Sequence, residues 1–334
     1  MRLMTLALLT LPLPALADDA VDRVLNDYAV PHVATFAEAT AGLAQAAEAD
    51  CTPGSADLVS AWNGAMDAWL GVQDLRFGPL EQGSRRQAIA YWPDVDGHRP
   101  RALSRILTGQ DPVLDKPETF PGQPISARGL YAVEAMLFDP DFNTYAAGDP
   151  GCVLVRAMTQ DLAASAAAVQ EAWQSDFVTV MRTAGNKRNA RFLDASEARQ
   201  VVFTALLTSM QFDIDERLGL PLGTFDRPRP KRAEGRLSDR SQRNLALSLA
   251  GHRDLMVALV PDPADAARSY ADFDRVIGLA EGLDDPDFSG VDDPAGRFRL
   301  EALQTALIAL RADVHAELGE TLTVTMGLNS LDGD

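Results

Sequence analysis

Arg128, Tyr131 and Glu134 recur three apart in the segment Ser126 to Phe138, where Leu130, Val133 and Leu137 supply a separate apolar face. At helical spacing a guanidinium, a phenol and a carboxylate then project within one arc. Such a set could donate a hydrogen bond or present two hard oxygen ligands to a cation such as Fe(III). On periodicity alone the simpler reading is a surface Arg–Glu pair beside a snorkelling tyrosine.

Little else in the chain suggests covalent chemistry. It has no Gly-x-Ser-x-Gly, no Walker loop and no dinucleotide fingerprint. The four histidines, His32, His98, His252 and His315, form neither H-x-x-x-H nor H-E-x-x-H, and ordinary usage makes each a surface or capped residue. The run Arg227-Pro228-Arg229-Pro230-Lys231-Arg232 reads as an exposed basic loop, with binding of an anion or partner as the alternative in so acidic a chain.

Helices must position these groups. Apolar residues recur at three and four over 19–49, 56–75, 127–138, 152–177, 195–218, 238–260, 271–283 and 296–318. Pro31 is expected to kink the first segment, Ser126 to cap the third, and Ser238 to cap the one after the basic loop. Thr321 to Thr325 is the single strand-like candidate. The eight segments divide evenly about 183–189, which predicts an all-α chain of two four-helix up-down bundles, residues 18–185 and 186–334. Asp74-Leu75-Arg76-Phe77-Gly78-Pro79-Leu80 echoes Asp215-Glu216-Arg217-Leu218-Gly219-Leu220-Pro221-Leu222, as a repeat would. The Pro-rich stretch 78–126 is expected to be a long loop with at most one short helix, near 101–107, and its Tyr91, Trp92 and Phe120 should pack it down.

Composition bounds the partners. The net charge of −18 disfavours nucleic acid and anionic lipid. Arg2, the apolar run Leu3 to Leu16 and Ala15-Leu16-Ala17 read as a secretory signal peptide over 1–17, with no cysteine after it for a lipid anchor. No later stretch reads as a transmembrane helix. The expected location is the periplasm. There a lone pair of cysteines, Cys51 and Cys152, forms either one disulfide or two buried thiols.

Gly129-Leu130-Tyr131-Ala132-Val133-Glu134 resembles Gly-x-His-x-x-Glu, the signature of imelysin-like proteins, nominally a peptidase family. Leu75-Arg76-Phe77-Gly78-Pro79-Leu80 is similar to that family's Phe-Gly-Pro segment, and Ala90-Tyr91-Trp92-Pro93-Asp94 to its Trp-Pro-Asp segment. Gly327-Leu328-Asn329-Ser330-Leu331-Asp332-Gly333-Asp334 is similar to its Gly-Phe-Asn-Ser-Leu-Asp-Gly-Asp terminus, and Cys51 and Cys152 sit where many members carry theirs. The resemblance implies pseudo-symmetric bundles, a cleft at the motif, a periplasmic location and association with iron uptake. It marks Gly129, Tyr131, Glu134, Trp92 and Asp94 as site residues beside Arg128, with Glu234 and Ser238 contributed from the second half. The family's histidine is Tyr131 here, which removes the imidazole that a zinc hydrolase needs. The expected function is therefore a binding protein linked to iron or haem uptake, whose partner is a small ligand, an iron chelate or an envelope protein. The alternative is an imelysin-type metallopeptidase with Glu134 as ligand or general base. Tyr131 and Glu134 are the candidate ligands for iron or zinc.

Overall fold

The computed structural model describes residues 18–109 and 111–327. The expected signal peptide, and the terminal motif beyond Gly327, lie outside the described residues. Among the described residues ten helices carry the architecture. Asp19–Arg23, the π turn Val24–Ala29 and Val30–Ala49 run on as α1. Next come α2 (Ala56–Val72), α3 (Arg85–Ile89), α4 (His98–Leu107) and α5 (Gly129–Phe138). The helix α6 (Pro150–Arg182) contains a π turn at Trp173–Phe177. Ala195–Phe212, the π turn Asp213–Leu218 and Gly219–Leu222 form α7. The last three are α8 (Ser241–Leu259), α9 (Ala267–Glu281) and α10 (Pro294–Leu322).

The all-α expectation holds. Among the described residues the only β feature is the isolated bridge between Thr224 and Arg227. The strand-like run at 321–325 instead finishes α10 at Leu322 and continues without regular structure. In α1 the irregularity is the π turn just before Pro31. The missing proline N–H is the kind of defect that a wider turn accommodates.

The stretch 78–126 is less of a loop than its prolines suggested. It holds α3, α4 and short 3-10 turns at Gly78–Ser84, Pro112–Leu114, Pro117–Gly122 and Ile125–Ala127. Proline opens three of these turns, where its missing donor costs nothing and its fixed φ suits the turn. Val113 and Phe120 are buried, so the segment is pinned as expected of its aromatics.

Packing gathers α1 on α2 and α6, with α5 between α2 and α6. In the second half α7, α8, α9 and α10 each touch the next, and α10 returns to α7. The two groups join where α8 lies on α2 and on the π turn of α1. The core is continuous and includes Tyr28, Phe36, Trp62, Trp173, Phe203 and Phe273.

One expectation about the membrane is corrected. By length and composition, α6 could cross a bilayer. Within the fold Leu154, Val155, Met158 and Leu162 of this helix are buried in the core, and α6 packs against α1 and α5.

Cys51 and Cys152 are bonded, with Cα atoms 5.1 Å apart and a sequence separation of 101. The bridge ties the end of α1 to the start of α6. Thiol titration of denatured, unreduced protein should find no free sulfhydryl. Cys152→Ser should lower unfolding stability by roughly 4–5 kcal/mol in the chain-entropy account of a loop this long. Two titratable thiols would contradict the bridge.

Candidate functional site

The motif helix α5 begins abruptly, and Gly129 makes that possible. Its φ is +76°, and a Cβ there would stand 2.1 Å from the Ile89 carbonyl oxygen. Only glycine allows the end of α3 to press onto the start of α5, and that contact delivers the Tyr91-Trp92-Pro93 segment to the site. The Trp62 indole fixes the next residue, donating to the Leu130 carbonyl at 3.0 Å.

Tyr131 and Glu134 then face inward, and both are buried. The Tyr131 hydroxyl donates to Glu234 Oε1 at 2.5 Å. Burial, and then the Glu234 charge, push the phenol well above its ordinary pKa, so it stays a neutral donor. Glu134 accepts from the Ser238 hydroxyl at 2.7 Å. Burial raises its carboxyl above the usual range, while Ser238 and Arg99 pull it back. Arg99 also lies over the Tyr131 ring, 5.7 Å from its centroid.

Glu234 is anchored from the far side by Arg217, whose Nε donates to Oε2 at 2.7 Å and Nη2 to Oε1 at 2.9 Å. The same guanidinium reaches Gln73 Oε1 at 2.7 Å, Ser248 Oγ at 3.1 Å, and Asp213. It is fully committed. Burial opposes its charge, but Glu234 and Asp213 more than offset that and hold its pKa well above the ordinary value. The π turn at 213–218 sets Asp213 and Arg217 on the same inward face.

Behind Arg217 the network continues to His252. Its Nδ1 sits 2.7 Å from Asp74 Oδ2 and its Nε2 3.1 Å from Asp213 Oδ2. Burial works against the imidazolium, yet Asp74 and Asp213 raise its pKa to about 9. This histidine is therefore a buried bridge between Asp74 and Asp213 and not the surface or capped residue its usage suggested. The sequence echo had paired Asp74 with Asp215. Asp215 is exposed and accepts from Gln211, and the carboxylate that matches Asp74 across the imidazole is Asp213.

Three other expectations change. Arg128 does not join Tyr131 and Glu134. It precedes the helix with an extended backbone, φ −113° and ψ 162°, so helical spacing does not govern it. Its guanidinium instead grips Asp161 on α6 at 2.8 and 2.9 Å. Ser126 is not the cap of α5 but lies in the 3-10 turn before it. Ser238 likewise stops three residues short of α8, in the turn Arg236–Ser238, and its hydroxyl is free to meet Glu134. The structure brings together Gly129, Tyr131, Glu134, Glu234 and Ser238. Sequence reasoning missed Gln73, Asp213, Arg217, Ser248 and His252; the echo touched Arg217, but only as a repeat.

Two cavities flank this network, and Trp92 and Pro93 line both. One, of about 330 Å³, is bordered by Trp69, Tyr131, Phe212, Arg217 and Glu234. The other, of about 260 Å³, contains Glu134, Asp94, Arg99 and the basic-loop residues Lys231 and Arg232. Asp94 also receives the first backbone N–H groups of α4, from His98 and Arg99, at 2.8 Å each.

A zinc or iron ion does not fit the donors as they stand. Glu234 already takes both of its charged contacts from Arg217, and the Tyr131 phenol is protonated against it. No three His, Cys, Asp or Glu side chains among the described residues gather as a metal site would require.

Comparison with known proteins agrees with the architecture. The family model described as Imelysin matches residues 29–314. An imelysin-like protein from Psychrobacter arcticum 273-4 superposes with a TM-score of 0.76 at 16% identity, covering 95% of this chain and 100% of that one. A protein from Parabacteroides distasonis ATCC 8503, provisionally named iron-regulated protein A precursor, gives 0.71 at 13% identity, with coverages of 90% and 94%. No curated protein matches the sequence.

Arg217→Gln should destabilise the fold by about 3–5 kcal/mol in urea titration, since Asp213 and Glu234 would stay buried without their cation. A loss below about 1 kcal/mol would mean that the carboxylates find water instead. His252 gives a pH signature. Its folded pKa, about 9, exceeds the ordinary 6.5, so its contribution is complete below pH 6.5 and is lost as pH rises through 9. Stability measured from pH 6.5 to 9 should fall, and His252→Gln should flatten that slope.

Proposed function

We propose, from the premise that the chain belongs to the imelysin family, that it is an exported, periplasmic binding protein serving iron uptake, with its ligand cleft at Tyr131 and Trp92. The observation that carries this reading is the bond from Tyr131 to Glu234, with Arg217 behind it. A guanidinium stands where a hydrolytic site would need an ion and an activated water. A neutral phenol and a bound carboxylate make a fixed polar wall, which orients a ligand but generates no nucleophile.

Other features support the same reading. The Cys51–Cys152 bridge suits an oxidising compartment. The leader expected over 1–17 would deliver the chain there. The iron connection comes from the name of the Parabacteroides protein. The cavity of about 330 Å³ is at the small end of ligand pockets, roughly 300–1,000 Å³. It favours a compact chelate or small organic ligand over haem. We read residues 18–185 and 186–334 as the two bundles that enclose this cleft.

Calorimetric titration of Fe(III) as a carboxylate chelate, Zn(II) and haem into wild type, Tyr131→Phe and Tyr131→His, beside a protease assay, tests the proposal. Wild type should bind the chelate without proteolysis. Tyr131→Phe should weaken it by about 0.5–1.5 kcal/mol through one lost hydrogen bond. Tyr131→His should raise affinity for the free metals. Metal-dependent proteolysis abolished by Glu134→Gln would establish the peptidase instead, and equal affinities in all three proteins would reduce Tyr131 to packing.

A further inference from the structure

Arg76 is a partly buried cation with no ion pair among the described residues. Its Nε donates to Ser209 Oγ at 3.0 Å, and its guanidinium lies 4.8 Å from the Phe212 ring centroid. No carboxylate comes within ion-pair distance of it among the described residues, although the other arginines of this cavity have theirs. Burial, and then repulsion from Arg86, lower its pKa to about 9, against the partial attraction of Asp74 and Glu81. Arg217, by contrast, has five hydrogen bonds and two ion-paired carboxylates.

Arg86 adds a second donor. Its Nε is bonded to Glu81 at 2.5 Å and its Nη1 to the Gln73 carbonyl at 2.8 Å, which fixes the fork. Its Nη2 is enclosed and has no partner. Arg76 and Arg86 both line the cavity that Tyr131 borders, with Trp69, Trp92 and Phe212 as aromatic walls. Three carboxylates line it too. Glu81 and Glu234 are taken by Arg86 and Arg217. Glu216 is left with no ion pair, and burial followed by the charge of Asp215 raises its carboxyl above the usual range. A guanidinium fork matches a carboxylate in plane and spacing, and aromatic walls favour an organic body over a bare inorganic ion.

We propose that this cavity binds a small organic carboxylate, its carboxyl group held between Arg76 and Arg86 and its body against Trp92 and Phe212. The assignment rests on the binding-protein reading and names the ligand's chemical class. It needs no metal, because the anchoring charge is on the ligand's own carboxyl group.

The test uses the full chain and metal-free probes. Citrate, inorganic phosphate and the neutral polyol glycerol are titrated by calorimetry, and each is tried as a thermal stabiliser. Citrate should bind one per chain and raise Tm, with glycerol inert. Arg76→Gln should weaken citrate about tenfold to a hundredfold, the effect of losing a charge-assisted pair. Its Tm without ligand should be equal to or above that of wild type, because a partly desolvated charge with no ion pair is gone. That opposition between affinity and stability is one a purely structural arginine would not show. Arg86→Lys, which keeps the charge and loses the fork, should fall between. If Arg76→Gln fails to fold, the citrate-induced Tm shift of Arg86→Lys against wild type decides. No citrate binding at millimolar concentration, binding of phosphate but not citrate, or equal citrate affinity in the variants would overturn the proposal. If wild type ignores citrate yet takes up a ferric chelate, this inference fails and the binding reading stands. If wild type shows metal-dependent proteolysis, it is the binding reading that fails.

Discussion

The placement of Arg217 is the constraint on which the rest depends. Its guanidinium holds Asp213 and Glu234 inside the protein, and through Ser248 and Asp213 it reaches His252 and Asp74. Charges taken from water carry a desolvation cost of several kcal/mol each, which close pairing and full hydrogen bonding must offset. Here two cations face three carboxylates, and the neutral donors Tyr131, Gln73 and Ser248 complete the set. Gln73 and Asp74 come just after α2, Tyr131 lies on α5, Arg217 on α7, and Ser248 and His252 on α8. The two helix groups are therefore joined by a polar seam whose members leave one another few alternatives.

That seam also accounts for the phenol at position 131. The carboxylate it meets is already neutralised by a guanidinium, so the position calls for a donor that adds no charge. A tyrosine meets that demand, and its hydroxyl reaches Glu234 from a ring buried against the core. The same carboxylate could not serve Arg217 in this way and a metal ion as well.

How much of this was readable from the chain varied with distance. The helices came from apolar spacing, because a 3.6-residue period is imposed by the core each helix must face. Tyr131 and Glu134 could be set on one face because both lie within a regular helix. Arg128 escaped the same rule because its backbone is extended. Glu234 and Ser238 came only through family resemblance: nothing local in Ala233 to Ser238 signals a partner about a hundred residues away. Arg76 and His252 were illegible as site residues for the same reason, since their significance lies in what tertiary packing places around them. The 3-10 turns of 78–126 have neither helical nor strand period, so they read as loop.

The π turn at Asp213–Leu218 has a consequence of a different kind. A π turn holds one residue more than the α-helical course would, and each residue of a helix rotates the remainder of that helix by roughly 100°. Substitutions here act on single contacts. A one-residue deletion between Asp213 and Arg217 would instead restore α geometry and shorten the spacing of this ion pair from four residues to three. The architecture of α7 should therefore tolerate changes of residue type far better than changes of length, and the frame of the chain through this turn is itself part of the site.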